Sequence, residues 1–180
     1  AIAFTELDKG MKTIAVDGPT LWAVGEVKLL PEDHEQAVRL VSCGSQFPEH
    51  EIGVFPLDDE KSERPLPEGK VGELRIKGPS VMHGYWDDSD RTKEAFAGTF
   101  LRTGDLGFLW EQKVFICGRS KEVVIVNGRN YYPQDIEWEA SKVDGVRRGN
   151  VIAFGAKDPT GKEQDRERVV NALRGRSDRR

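Results

Sequence analysis

"GRSKEVVIVNGRNYYPQDIE", from Gly118 to Glu137, carries two kinds of signal in one stretch. From Glu122 onward the residues read as local structure. "EVVIV" is dominated by β-branched side chains, which favour a strand, and Asn127-Gly128 supplies positive φ at both central positions of a type I′ turn, so the chain is expected to fold back through "RNYY". Pro133 suits the first turn of a helix, where its missing N–H has no intrahelical partner. Ile136, Ala140 and Val143 then fall on one stripe before Gly145 ends it. None of this requires Arg119, Lys121 and Glu122 bunched at the mouth of the hairpin, so those charges ask for a separate explanation.

Upstream the pattern is mostly of strands. Residues 1–30 contain the short apolar runs "AIAF", "TIAV" and "LWAV", set apart by "DKG", "DGPT" and "GE", which read as short strands with tight turns. "PEDHEQAVRLVSCG" is open between a helix started by Pro31 and a buried strand in "VRLVSCG". "EIGVFPLD" and "GKVGELRIKG" form a strand pair across a charged loop, and Leu74 and Ile76 alternate with Arg75 and Lys77 as in a half-exposed strand. A short helix capped by Asp88, Ser89 or Asp90 puts Thr92, Ala95 and Phe96 on one face and ends at Gly98. "FLRTGDLGFLWEQKVFICG" then reads as strand, turn, strand, and "NVIAFGA" as one more strand. After about residue 158 the periodicity is lost.

Composition excludes several classes. The chain has 180 residues, 37% hydrophobic and 32% charged, with a net charge of -4. That is a soluble globular composition, without the basic field that gathers nucleic acid, so no nucleic-acid partner is expected. No apolar run approaches the roughly 18 residues of a membrane span, and "AIAFTELDKG" lacks the regions of a signal peptide, so a cytoplasmic protein without a membrane span is expected. Cys43 and Cys117 lie far apart beside apolar residues, with no His cluster, and read as buried free thiols. His34, His50 and His83 are isolated, and "HGYW" reads as packing. The start without Met and the basic end without periodicity suggest a piece of a longer chain.

Asp105, in "RTGDLG", is the strongest isolated candidate for chemistry. A carboxylate between two glycines at the end of an apolar run is open to a ligand and accepts two hydrogen bonds at once, as from a vicinal diol; equally, it fits a turn aspartate serving its own loop amides. Arg119 and Lys121 offer a planar fork and a point charge, for an anion or ribose contact or as solvated charges at a strand entrance. The phosphate loop G-x-x-x-x-G-K-[ST], the dinucleotide fingerprint G-x-G-x-x-G, H-E-x-x-H and G-x-S-x-G are all missing.

Three stretches agree on one resemblance. "VGELRIKGPSVMHGYW" (Val71–Trp86), "LRTGDLGFL" (Leu101–Leu109) and "GRSKEVVIVNGRNYYPQDIE" resemble, in order and spacing, consecutive motifs of the adenylate-forming enzymes, over about residues 1–158. "LRTGDLGFL" followed by "GRN-Y-P-Q-DIE" is most similar to the fatty acyl-AMP ligases, which activate a fatty acid with ATP and pass it to an acyl carrier protein; acyl-CoA synthetases more usually carry G-x-x-I-x-P-x-E-I-E in the second of these places. Ala1–Arg39 lies where those ligases carry an extra segment, before the "VSCG"-like strand.

The resemblance implies an α+β fold: a β-rich, distorted barrel-like last subdomain of the large adenylating domain over residues 1–119, then the hinge and start of the small α+β domain over 120–180. It implies that Asp105 holds both ribose hydroxyls of ATP and of the acyl-adenylate, that Arg119 contacts the same ribose, and that Lys121 is the hinge about which the small domain rotates. Glu122 stands where the family usually has Asp. ATP or AMP and Mg²⁺ are the implied cofactors, and fatty acid, acyl-adenylate and either carrier protein or coenzyme A the partners. The family's phosphate loop, its Y-G-x-x-E motif and its catalytic lysine are not among these residues, so this stretch alone is expected not to turn over. An acyl-CoA synthetase and a non-catalytic adenylate-binding or interaction module of the same fold are the alternatives.

Overall fold

The structure is a computed structural model that describes residues 2–6, 8–126, 129–147 and 150–154. The chain divides into two compact units, Ala1–Ser120 and Lys121–Arg180. In the first, the elements in chain order are β1 (Ala3–Phe4), β2 (Thr13–Asp17), α1 (Gly18–Val24), β3 (Ala37–Val41), β4 (Ser45–Gln46), β5 (Glu51–Phe55), β6 (Gly72–Lys77), α2 (Ser89–Ala95), β7 (Phe96–Ala97), β8 (Phe100–Trp110) and β9 (Lys113–Arg119). The second holds β10 (Val124–Val126), β11 (Arg129–Tyr131) and α3 (Pro133–Ala140). Among the described residues no helix is long and apolar enough to cross a membrane.

The centre of the first unit is an antiparallel sheet in the order β5-β6-β8-β7, with β9 also on β8. One edge of β8 carries β6. The other is shared: β7 pairs at Phe100 and Leu101, and β9 pairs from Asp105 to Trp110. Both faces of this sheet are covered. Phe108 and Phe115 join Val16 of β2 and Leu21 of α1 in one core, while Val114 joins Ile52, Val54 and Leu74 in the other. This double covering explains why "LGFLW" and "KVFICG" are nearly continuous apolar runs and do not alternate with polar residues. Phe108 and Phe115 are cross-strand partners with rings stacked 5.2 Å apart, the kind of pair that fixes register.

Several sequence expectations need correction. "GPTLWAV" is the helix α1 and not a strand, because the Asp17 carboxylate accepts from the Thr20 N–H at 2.7 Å and Pro19 sits in the first turn, so "DGPT" is a helix start. The stretch left open after Pro31 is the strand β3, paired with β2 from Thr13↔Val41 to Asp17↔Ala37. α2 stops at Ala95, and Phe96 already belongs to β7, short of Gly98. Arg75 is not on an exposed face: it is 1% exposed, with its guanidinium carbon 4.7 Å from the Phe55 ring centre. "HGYW" is not all packing, since Trp86 is 98% exposed and Tyr85 pairs with the Arg91 guanidinium. Cys43 and Cys117 are only half-buried.

In the second unit, β10 and β11 pair antiparallel through Val124↔Tyr131, Ile125↔Asn130 and Val126↔Arg129. The Asn127-Gly128 turn between them lies outside the described residues, as does the tail after residue 154. α3 begins at Pro133 as its fixed φ favours, but ends at Ala140, so Val143 falls beyond the helix and is exposed. "NVIAF" enters no named strand; its Ala153 N–H donates to Glu137 Oε1 at 2.9 Å.

Candidate functional site

Asp105 stands where the ladder of β8 is irregular on both edges. Toward β6, Glu73 pairs with Leu106 and Arg75 with Arg102, so Thr103, Gly104 and Asp105 face Leu74 alone. Toward β9, Leu106 pairs with Gly118 and Gly107 with Ile116, which leaves Cys117 as an extra residue. Bulges of this kind bend a strand and re-aim its side chains. Beyond the second one, Asp105 and Arg119 are direct cross-strand partners.

Their side chains meet. Arg119 Nε donates to Asp105 Oδ1 at 3.0 Å, with the Arg119 side chain 65% and the Asp105 side chain 27% exposed. Among the described residues, Asp105 Oδ2 and the terminal nitrogens of Arg119 have no further hydrogen bond. The turn reading of Asp105 therefore does not hold here, since no loop amide of the described residues donates to its carboxylate. Its own N–H is taken by Thr103 Oγ1 at 3.0 Å, and the Ser120 N–H donates to Gly104 O at 2.9 Å. A carboxylate with one oxygen held and the other open, beside a guanidinium with open donors, suits a ligand that offers neighbouring hydroxyls.

The surroundings are partly apolar. Ile116, the cross-strand partner of Gly107, is 44% exposed, and Val41, next to the bridge Ser42↔Phe115, is 48% exposed. Burial pushes the Cys43 thiol up, and the charge of Asp105 adds to the effect, so this cysteine is held as a neutral thiol. Lys121 is exposed and is the first residue of the second unit. A shallow cleft lined by Phe4, Lys9, Lys12, Ser42, Gly44 and Lys113 contains none of these site residues. Among the described residues no group of three His, Cys, Asp or Glu side chains is placed to hold a metal ion.

Sequence reasoning missed the charge network that leads into the site. Arg75 Nε donates to Glu73 Oε2 at 2.8 Å and Nη1 to Ser62 O at 2.9 Å, while Arg102 Nε reaches Glu73 Oε2 at 3.2 Å and its Nη1 reaches Glu60 Oε2 at 3.0 Å. Arg75 Nη2 has no partner among the described residues. Buried ion pairs seldom add much net stability, so the network's effect is to fix one geometry for Arg102, the residue before Thr103. The available signal was Glu73 and Arg75 at i, i+2, opposite charges on one strand face. The Arg102 hydrogen bond, then its charge, holds the Glu60 carboxyl below the usual range. A carboxyl depressed by folding stabilises above its unfolded value and loses that effect as pH falls through the folded one. Glu60→Gln is therefore expected to be less stable than the native protein at neutral pH and equal to it at acid pH, as read by urea melts at both.

No protein-family model matches the chain. Over its whole length it is 36% identical to a putative acyl-CoA synthetase of Caulobacter vibrioides, of which it spans 31%. Over 77% of its length it is 37% identical to a medium-chain fatty acid–acyl-carrier-protein ligase of Moorena producens, spanning 24% of that protein. Among solved structures, one from a study of fatty acyl-adenylate ligases of E. coli and L. pneumophila superposes with a TM-score of 0.76 at 34% identity, covering 86% of this chain and 27% of that one. The chain thus spans less than a third of the length of the relatives it matches.

Proposed function

We propose that this chain, similar over most of its length to acyl-activating ligases and synthetases, is the segment of an ATP-dependent fatty acyl-AMP ligase of the adenylate-forming superfamily that holds the ribose and starts the mobile small domain. The observation that carries this reading is the Asp105–Arg119 pair, one oxygen bound and one open, set out of register by bulges on both sides.

In this reading a fatty carboxylate oxygen attacks the α-phosphorus of ATP, and the bond to the bridging oxygen of pyrophosphate breaks. The acceptor thiol then attacks the acyl carbon and AMP leaves. Asp105 takes the ribose hydroxyls, Arg119 donates to the same ribose, and Lys121 is the hinge; these groups hold the adenosine still while the α-phosphorus reacts, which is a positioning contribution. Mg²⁺ would supply charge neutralisation on the phosphates. The reading takes an acyl carrier protein as acceptor and the cytoplasm as the compartment. Coenzyme A is the second reading, favoured by the name of the Caulobacter relative.

The test measures pyrophosphate release with ATP, Mg²⁺ and a long-chain acid, on the complete protein and on these 180 residues. The complete protein is expected to form acyl-adenylate and these residues alone to be silent; turnover by them alone, or no adenylate from the complete protein, overturns the proposal. Offering carrier protein and coenzyme A separately then decides the acceptor.

A further inference from the structure

Asp105 sits on backbone that the ladder to β6 does not hold. Where Thr103, Gly104 and Asp105 face Leu74 alone, the regular exchange of N–H and C=O with β6 is interrupted, and a buried carbonyl on that side would be left without a donor. The Thr103 side chain fills this gap in two directions. Its hydroxyl donates to Leu74 O on β6 at 2.6 Å, and the same oxygen accepts from the Asp105 N–H at 3.0 Å. The hydroxyl thus stands in for two missing ladder bonds and ties the backbone of Asp105 to the sheet.

The constraint is directional. The first bond fixes the hydroxyl against β6, and the second fixes the peptide from which the Asp105 side chain departs. On the other edge, the Ser120 N–H holds Gly104 O at 2.9 Å, and Gly104 turns the backbone through φ 72°, so Thr103 and Ser120 clamp the bulge from opposite sides. A β-branched residue also suits the strand on which it lies, where its χ1 is restricted. We infer that Thr103 is a positioning residue that sets the Asp105 carboxylate for a ribose diol without touching the ligand. The inference rests on the ribose reading of Asp105.

The test uses the complete protein and compares AMP with its 2′,3′-dideoxy analogue by calorimetry, for the native form, Thr103→Val, Thr103→Ser and Asp105→Ala. Thr103→Val is expected to weaken AMP about tenfold, as for loss of one well-placed hydrogen bond, and to leave the dideoxy analogue unchanged; Thr103→Ser is expected to bind AMP like the native form. If the valine variant does not fold, Thr103→Ala gives the same comparison. Equal losses for both nucleotides, or no rescue by serine, overturn the positioning role. Unchanged AMP binding in Thr103→Val with a loss in Asp105→Ala overturns this inference but leaves the ribose reading standing. Unchanged AMP binding in Asp105→Ala overturns both.

Discussion

Asp105→Ala in the complete protein is expected to weaken AMP by roughly 100-fold or more while leaving the melting temperature nearly unchanged. Two hydrogen bonds to a charged acceptor contribute about 1.5–3 kcal/mol each, which gives roughly 3–6 kcal/mol as an upper range, and truncation values are not additive, so about 3 kcal/mol is the working figure. Stability should barely move, because the pair with Arg119 lies on a partly exposed face, where such pairs contribute about 0–1 kcal/mol. Asp105→Asn separates the two properties of the side chain: it keeps an acceptor and loses the charge, and should fall between the native form and alanine. Calorimetric titration with AMP and with 2′-deoxy-AMP gives the readings. An alanine variant that binds AMP as the native protein does would remove the ribose role. A variant that loses AMP binding together with its cooperative melt would show instead that the carboxylate holds the fold.

What the sequence made legible were features that rest on neighbouring residues. The strand content of "EVVIV" and "RNYY", the helix start at Pro133 and the hairpin of β8 and β9 follow from side-chain branching, turn chemistry and apolar runs, all of which act within a few residues. Asp105 was legible as an acceptor because glycines flank it. The features that escaped depend on partners far along the chain or on a cap that closes only in the folded state. Arg75 looks like the polar side of an alternating strand until Phe55 and Glu73 close over it, and "DGPT" looks like a turn until the Asp17 side chain caps α1. The bulges are the sharper case. That Thr103, Gly104 and Asp105 share one partner is a property of register between β6 and β8, and register is set by the summed packing of both strands. Asp105 could therefore be picked out from sequence, but Thr103, whose hydroxyl matters only because the ladder fails beside it, could not.

Gly107→Ala is expected to destabilise the first unit by about 3 kcal/mol, the upper part of the range for forced overpacking, while Gly104→Ala costs about 1 kcal/mol. The two glycines of "TGDLG" look alike in the sequence and differ in cause. A Cβ on Gly107 would lie 2.2 Å from the carbonyl oxygen of Phe115 and 2.8 Å from Leu74 Cδ1, and neither can retreat: the first is backbone of a strand paired with β8, the second lies in the core. A Cβ on Gly104 would meet nothing nearer than Ser120 Oγ at 3.9 Å, so its cost is only that of an L residue at φ 72°. Urea melts of both variants measure the difference, and Gly104→Ala proving the more damaging to stability would reverse the assignment. The consequence reaches the site. Gly104 is open space at the bulge, so a side chain there intrudes where the ligand of Asp105 would approach, whereas Gly107 is filled from behind by β9 and β6. Gly104→Ala should accordingly weaken AMP more than it weakens the fold, and Gly107→Ala should do the reverse.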